Sequence, residues 1–397
     1  MLLLPRHIGH LYVFLFLVDM KPYFALFSLL TFLFTACKND VSKSQSLESA
    51  TPIQVSGPRY IRLTGTLGDQ AVVLHLTSDH TVGDSKTSYA GQITWPDGSS
   101  AAVYGMPDAS GQVVLEASFH AQDSNVQYRI QKIMPDGVWT GVQENPAAPI
   151  QLKETYPEGS LRFVAKEWQD SLKARPELKD SPVCDLSQSV LVPNSGNSAT
   201  DAWLLQELLH AYGADSLEGK PANFDALFTA LRKEMFDAYP EVIADYDPKK
   251  EDQYSAMWSH SSATSMEILH NDNYRLTVAV TNYVFTGGAH GNYGSSLHSY
   301  DIKAKKRLVL GDLLKPGHEK TLAPHLAAAA RRWAGLDKTE ALDTVFFVEN
   351  NTIPLTDNVG ILDKGLVFNY APYEIGPYAM GEVRLFVPFG DIQQMLK

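Results

Sequence analysis

Between Arg59 and about Ile150 the chain is cut at short intervals by turn signals, at Gly68-Asp69, Pro96-Asp97-Gly98, Pro107-Asp108, Ser110-Gly111 and Pro135-Asp136-Gly137. Proline presets the first turn angle and glycine accepts a positive φ, so each signal marks a chain reversal. The segments between them alternate. Ile61 and Leu63 alternate with Arg62 and Thr64, and Val113, Leu115, Ala117 and Phe119 alternate with Val114, Glu116, Ser118 and His120. Such a period puts one face of a strand in a core and the other in water. With about seven or eight strands and no convincing helix, residues 59–150 are predicted to form a small all-β meander, closed as a barrel or stacked as a sandwich. Trp95, Tyr104 and Trp139 lie near its turns and could stack on a sugar; packing in the core or at its rim is the expected use of rings this large.

From about Gln151 to Lys397 the pattern changes. Phe224, Leu227, Phe228, Leu231 and Met235 fall at helical spacing behind Asn223, a capping residue. Leu205, Leu208 and Tyr212 form a second stripe that stops at Gly213, and Leu322, Leu326, Ala329, Ala330 and Trp333 form a third. Between them lies a strong strand with Leu276, Val278 and Val280 on one face and Arg275, Thr277, Ala279 and Thr281 on the other, and a closing strand follows at Val383, Leu385 and Val387. Helices and strands in blocks predict an α+β module over 151–397, an antiparallel sheet with packed helices.

Upstream, the apolar run Leu29 to Ala36 ends at Cys37 and gives way to Lys38-Asn39-Asp40. This is the layout of a lipoprotein signal, cleaved before a cysteine whose sulfur carries a lipid. A continuous span from Met1 would bury Asp19 and Lys21, each at a cost of about 2.5 to 3.5 kcal/mol. A start at Met20 avoids this cost, so residues 1–36 are read as signal, with Met20 as the expected true start. Residues 37–58 hold five serines and two prolines and are expected to be a flexible tether. The expected location is the cell envelope, lipid-anchored through Cys37 and extracytoplasmic, either periplasmic or on the outer membrane surface.

Removing the signal leaves 31 basic against 44 acidic residues, a charge of −13. That balance argues against nucleic acid and favours a basic partner. Cys184 is then the only free thiol, which excludes an intramolecular disulfide or a cysteine metal cluster. There is no Gly-x-Ser-x-Gly elbow and no His-Glu-x-x-His helix. His260, His270, His290 and His298 are spread over different predicted strands, so no metal site and no cofactor are expected. The carboxylate pairs Asp301 with Asp312 and Glu374 with Glu382 suit acid and base work, but surface charge is the commoner use of such residues.

Two segments stand out. Thr286-Gly287-Gly288-Ala289-His290-Gly291 follows the strong strand and has three glycines in five positions. It reads as a ligand-contacting loop with His290 at its tip, or as a tight strand crossing in which His290 hydrogen-bonds the backbone. Without a following helix it lacks the phosphate-binding mechanism, which favours the crossing. The second segment, Phe368 to Gly381, is stiffened by two prolines and carries Tyr373, Glu374 and Tyr378. Rigid aromatic side chains give contact area at small entropic cost, so it reads as an interface or as an anchor for the last strand. Gly287, Gly288, His290, Tyr373, Glu374 and Tyr378 are the candidate binding residues.

TGGAHG, the stretch from Tyr300-Asp301 to Leu308-Val309-Leu310-Gly311-Asp312-Leu313-Leu314, and NYAPYEIGPYAMGEVRLFVPF resemble the paired extracytoplasmic domains of unknown function found in RsiV-like anti-sigma factors and beside some peptidoglycan deacetylases. The resemblance runs from about Leu161 to the C-terminus and is most specific from Leu276 to Phe389. It implies an α+β receptor, which in the RsiV-like members binds lysozyme outside the cell. Neither a sigma-binding segment nor a deacetylase domain is recognised, so only the binding module transfers. The expectation is a non-enzymatic envelope binding protein that recognises a lysozyme-like basic protein or a glycan. The alternative is an envelope glycan or peptidoglycan hydrolase using His290 with a carboxylate.

Overall fold

The structure, a computed structural model, describes residues 57–80, 87–118, 126–247, 249 and 255–397. The expected signal, Cys37 and nearly all of the expected tether lie outside the described residues. The described residues cluster as one compact unit.

The alternating first region closes as an eight-stranded antiparallel barrel. Its strands are β1 (Arg59–Leu67), β2 (Gln70–His80), β3 (Thr87–Thr94), β4 (Ser100–Pro107), β5 (Val113–Ser118), β6 (Val126–Ile133), β7 (Val138–Gln143) and β8 (Ala148–Glu154). Each pairs with the next, and β8 returns to β1 with Leu63 opposite Glu154 and Leu67 opposite Ile150, so no edge remains. Ile61, Leu63, Val113, Leu115 and Ile130 fill the interior with no exposed surface. Trp139 packs edge-on against Tyr89 there, ring centroids 5.6 Å apart. Tyr104 by contrast lies on the outside, half exposed.

One patch of the barrel's outer face is not in water. Tyr60 and Arg62 point away from the barrel interior, yet they are 1% and 4% exposed, because the second region packs over them. Tyr60 meets Phe163 edge-on, and Arg62 Nη2 pairs with Asp272 at 2.7 Å. Gln92 Nε2 donates to Leu269 O at 2.6 Å. A barrel face that alternation alone assigns to solvent is therefore the seat of the module.

The module is built on β9 (Phe163–Lys173), β10 (Val183–Pro193), β11 (His260–Asp272), β12 (Arg275–Phe285), β13 (Asn292–Asp301) and β14 (Lys306–Leu308), paired in that order. The pairing is antiparallel except that β10 and β11 run parallel. Two parallel neighbours need a long crossover. Here helices α1 (Ser198–Ala211) and α2 (Phe224–Val242) supply it. Asn223 caps α2 as its position predicts, accepting Ala226 N–H at 2.8 Å, and Asn197 does the same for α1. Gly213 ends α1 at φ 80°, a left-handed conformation that costs glycine nothing. Short helices α3 (Ser255–Trp258) and α4 (Leu310–Leu313) lead into β11 and follow β14.

Both faces of this sheet are covered. Leu276, Val278 and Val280 pack under α1 and α2, and burial of each contributes about 1.5 to 3 kcal/mol. On the other face a second sheet lies against Thr277 and Ala279. It consists of β15 (Val359–Ile361), β16 (Gly365–Tyr370) and β17 (Val383–Pro388), and α5 (His318–Ala334) closes its far side through Leu322, Leu326, Ala329 and Ala330. Thr277 Oγ1 donates to Ile361 O at 2.6 Å and joins the two sheets. No described helix is long and apolar enough to cross a membrane.

Candidate functional site

The two segments singled out from sequence come together at one end of the module. The loop after β12 needs its glycines: Gly287 sits at φ 84°, and a Cβ there would lie 2.2 Å from Met257 O. At Gly291 a Cβ would strike the Tyr283 ring. This close-packed turn delivers His290 to the surface beside the loop between β16 and β17.

His290 stacks on Tyr378, ring centroids 4.1 Å apart and 25° from parallel. Tyr373 lies 5.6 Å from Tyr378, and Tyr293 at the head of β13 meets Tyr378 edge-on. His290 Nδ1 lies 2.8 Å from Gly291 O. A carbonyl can only accept, so Nδ1 carries a proton. The other ring nitrogen, Nε2, faces Tyr373 Oη at 3.5 Å. Tyr378 Oη donates to the same Gly291 O at 2.8 Å. The backbone hydrogen bond expected of a tight strand crossing is therefore present, made by His290 Nδ1.

Tyr373 is 54% exposed and sits at φ 71°. A bulky residue in that region is strained, at a cost of order 1 to 3 kcal/mol, and such positions persist only where the surroundings over-determine them. Here Tyr373 N–H bonds Gly376 O, Glu374 N–H bonds Ala371 O, and the Glu374 carboxylate accepts Ala371 N–H at 2.9 Å. Glu374 thus closes its own turn, while Gly287 and Gly288 shape the neighbouring loop.

The remaining candidates separate. No carboxylate hydrogen-bonds either His290 nitrogen among the described residues. Asp301 caps the β13–β14 turn and Asp312 pairs with Lys306. Glu382 is held away from Glu374 by Ser295 N–H and Oγ and by Asn369 Nδ2. His270 and His298 are buried, and desolvation pushes both down to about 4, helped by the charges of Arg275 and Arg307 respectively. Burial likewise raises the Cys184 thiol to about 11, which leaves it a packing residue. Among the described residues no three His, Cys, Asp or Glu side chains converge as metal ligands. Sequence reasoning missed Tyr293. It was one more aromatic at a strand start, with no periodic or motif signal.

Residues 152–293 match the family model described as deacetylase PdaC, and residues 311–390 match that of a protein of unknown function, DUF3298. The chain therefore carries the paired domains of unknown function to which its sequence has a resemblance. No curated protein matches. Among solved structures, the chain is similar to a member of the DUF3298 family from Bacteroides fragilis, at 20% identity over 61% of this chain and 96% of that one, with a TM-score of 0.51. A DUF3298 family protein from Pseudomonas aeruginosa matches at 19% identity over 59% and 94%, with a TM-score of 0.40. The first likeness bears on the fold alone, and it agrees with an α+β module.

Proposed function

We propose that this chain is a lipid-anchored, non-enzymatic binding protein of the cell envelope. It recognises an envelope protein of lysozyme-like, basic character, or a glycan, through the cluster of His290, Tyr293, Tyr373 and Tyr378. The observation that carries this reading is Tyr373. A large ring, held exposed on a backbone conformation unfavourable to it, serves packing poorly and contact well.

Three further points support the reading. Two of its rings, His290 and Tyr378, are tied to the backbone by hydrogen bonds, and rings so held lose little entropy on binding. The net charge of −12 would steer a basic partner toward the chain. The matched families and the RsiV-like resemblance concern extracytoplasmic modules, which suits a cysteine placed for lipidation at Cys37.

Titrating hen-type lysozyme into the purified full chain by calorimetry tests this. The proposal expects saturable heat that weakens as salt rises, because screening shortens the reach of the attraction. Absence of binding at low salt to lysozyme and to soluble peptidoglycan fragments alike refutes it.

A further inference from the structure

β17 has an open edge. In the small sheet the order is β15-β16-β17, so β17 has a neighbour on one side only. The register tells which of its peptide groups are left over. Asn369 N–H bonds Asn358 O and Leu362 N–H bonds Gly365 O, so Gly365, Val367 and Asn369 turn their peptide groups to the β15 side. Leu366, Phe368 and Tyr370 therefore serve β17, opposite Val387, Leu385 and Val383. Arg384 and Phe386 must turn theirs outward. Arg332 Nη2 donates to Phe386 O at 3.1 Å from outside the sheet, as this parity requires.

The outward edge is bounded at both ends. Pro388 has no N–H to offer, and at the other end the chain turns out of the strand at Gly381, φ 71°, against Tyr293 Oη. Between these stops the N–H and C=O of Arg384 and the N–H of Phe386 face a cleft rather than a strand. Exposed edges are normally blunted by charge, proline or a covering element, because they template pairing with another chain. Here Pro388 and Arg332 blunt the C-terminal end and leave the peptide groups of Arg384 uncovered.

The cleft has room for an added strand. It measures about 890 Å³, walled by α5 at Ala329 and Arg332 and by the β3–β4 turn of the barrel at Asp97 and Ser100. That is within the roughly 300 to 1,000 Å³ of ligand pockets, and a paired strand would lie about 4.8 Å from β17. Its charge selects the occupant. Asp97, Glu267, Glu382 and Asp391 line it against two cations, Arg332 and Arg384. Arg384 is already shared by Glu267 and Glu382, at 3.4 and 3.7 Å. Asp97 is held anionic by the hydroxyl and N–H of Ser99, and neither it nor Asp391 has an ion-pair partner among the described residues.

We infer that this cleft binds an extended, basic peptide segment of a partner protein, which adds to β17 as a fourth strand and sets lysine or arginine side chains against Asp97 and Asp391. The site does not depend on what the aromatic cluster recognises. Backbone hydrogen bonds supply affinity in such strand addition, and the flanking charges supply selectivity.

The test uses the purified full chain and a fluorescein-labelled peptide, Lys-Val-Lys-Val-Lys-Val, followed by anisotropy. Two further peptides carry backbone N-methyl groups on the three lysines or on the three valines. Saturable binding is expected, lost by about tenfold or more when one set of alternate N–H groups is methylated and retained when the other is. Asp97→Asn with Asp391→Asn should weaken it several-fold, while Glu-Val-Glu-Val-Glu-Val should not bind. Equal binding of the parent and both methylated peptides would show attraction by charge alone and overturn strand addition, as would no binding of the parent peptide.

Discussion

Tyr378 lies over His290 with ring centroids 4.1 Å apart, and both side chains bond the same backbone oxygen, Gly291 O, at 2.8 Å. One carbonyl thus ties two loops that are far apart in sequence. The consequence is a surface of rings whose positions are set before any ligand arrives.

Tyr378→Phe removes the hydroxyl and leaves the stack. A net hydrogen bond is worth about 0.5 to 1.5 kcal/mol, and the stack about as much again. Urea unfolding should therefore show a loss of about 1 kcal/mol for Tyr378→Phe and a loss of about twice that for Tyr378→Ala. Equal losses would mean that the ring contact contributes nothing.

Gly287 and Gly288 give a controlled pair. Both have positive φ, but only Gly287 faces an obstruction, Met257 O. Gly288→Ala should cost about 1 to 2 kcal/mol for the left-handed conformation alone. Gly287→Ala should cost more and should also disturb His290, read as a changed imidazole resonance by NMR.

Asn271 has no exposed surface and clasps both the N–H and the C=O of Leu161, at 2.8 and 2.7 Å. Asn271→Ala strands two buried backbone groups at about 1 to 3 kcal/mol each. A loss of about 3 kcal/mol in denaturant unfolding is expected, with the start of β9 losing amide protection first.

Acid should weaken the fold before its carboxylates protonate. His270 and His298 are held near 4, against about 6.5 in an unfolded chain. Between those values the unfolded chain binds more protons, so stability is complete above the unfolded pKa and falls as the pH drops toward 4. Melting temperatures taken from pH 7 to pH 4 should decline, and His298→Gln should flatten part of that decline. An unchanged slope would place the acid sensitivity elsewhere.

Much of this architecture is legible in local pattern. The alternation in β5 and β12, the cap at Asn223 and the stop at Gly213 are short-range effects, and each leaves its signature in neighbouring residues. What is not legible depends on distance. Arg62 reads as solvent-facing because its partner, Asp272, comes far later in the chain, and Phe163, which packs on Tyr60, is likewise remote. The parallel pairing of β10 with β11 is hidden for the same reason, since helices α1, α2 and α3 intervene. At the candidate site, the glycine loop and the tyrosine loop announce themselves by composition. Their stacking does not, and Tyr293 has no local signal at all. The open edge of β17 is a property of register, which exists only once three strands are paired.

The most direct test of the proposed surface is Tyr373→Gly. Glycine is at ease at φ 71°, so the substitution removes the ring and relieves strain, and stability should hold or rise by about 1 kcal/mol. Calorimetric titration of lysozyme into the full chain should then show affinity at least about tenfold weaker than for the unaltered protein. Affinity equal to that of the unaltered protein, in a variant of equal or greater stability, would contradict the assignment of the exposed ring to binding.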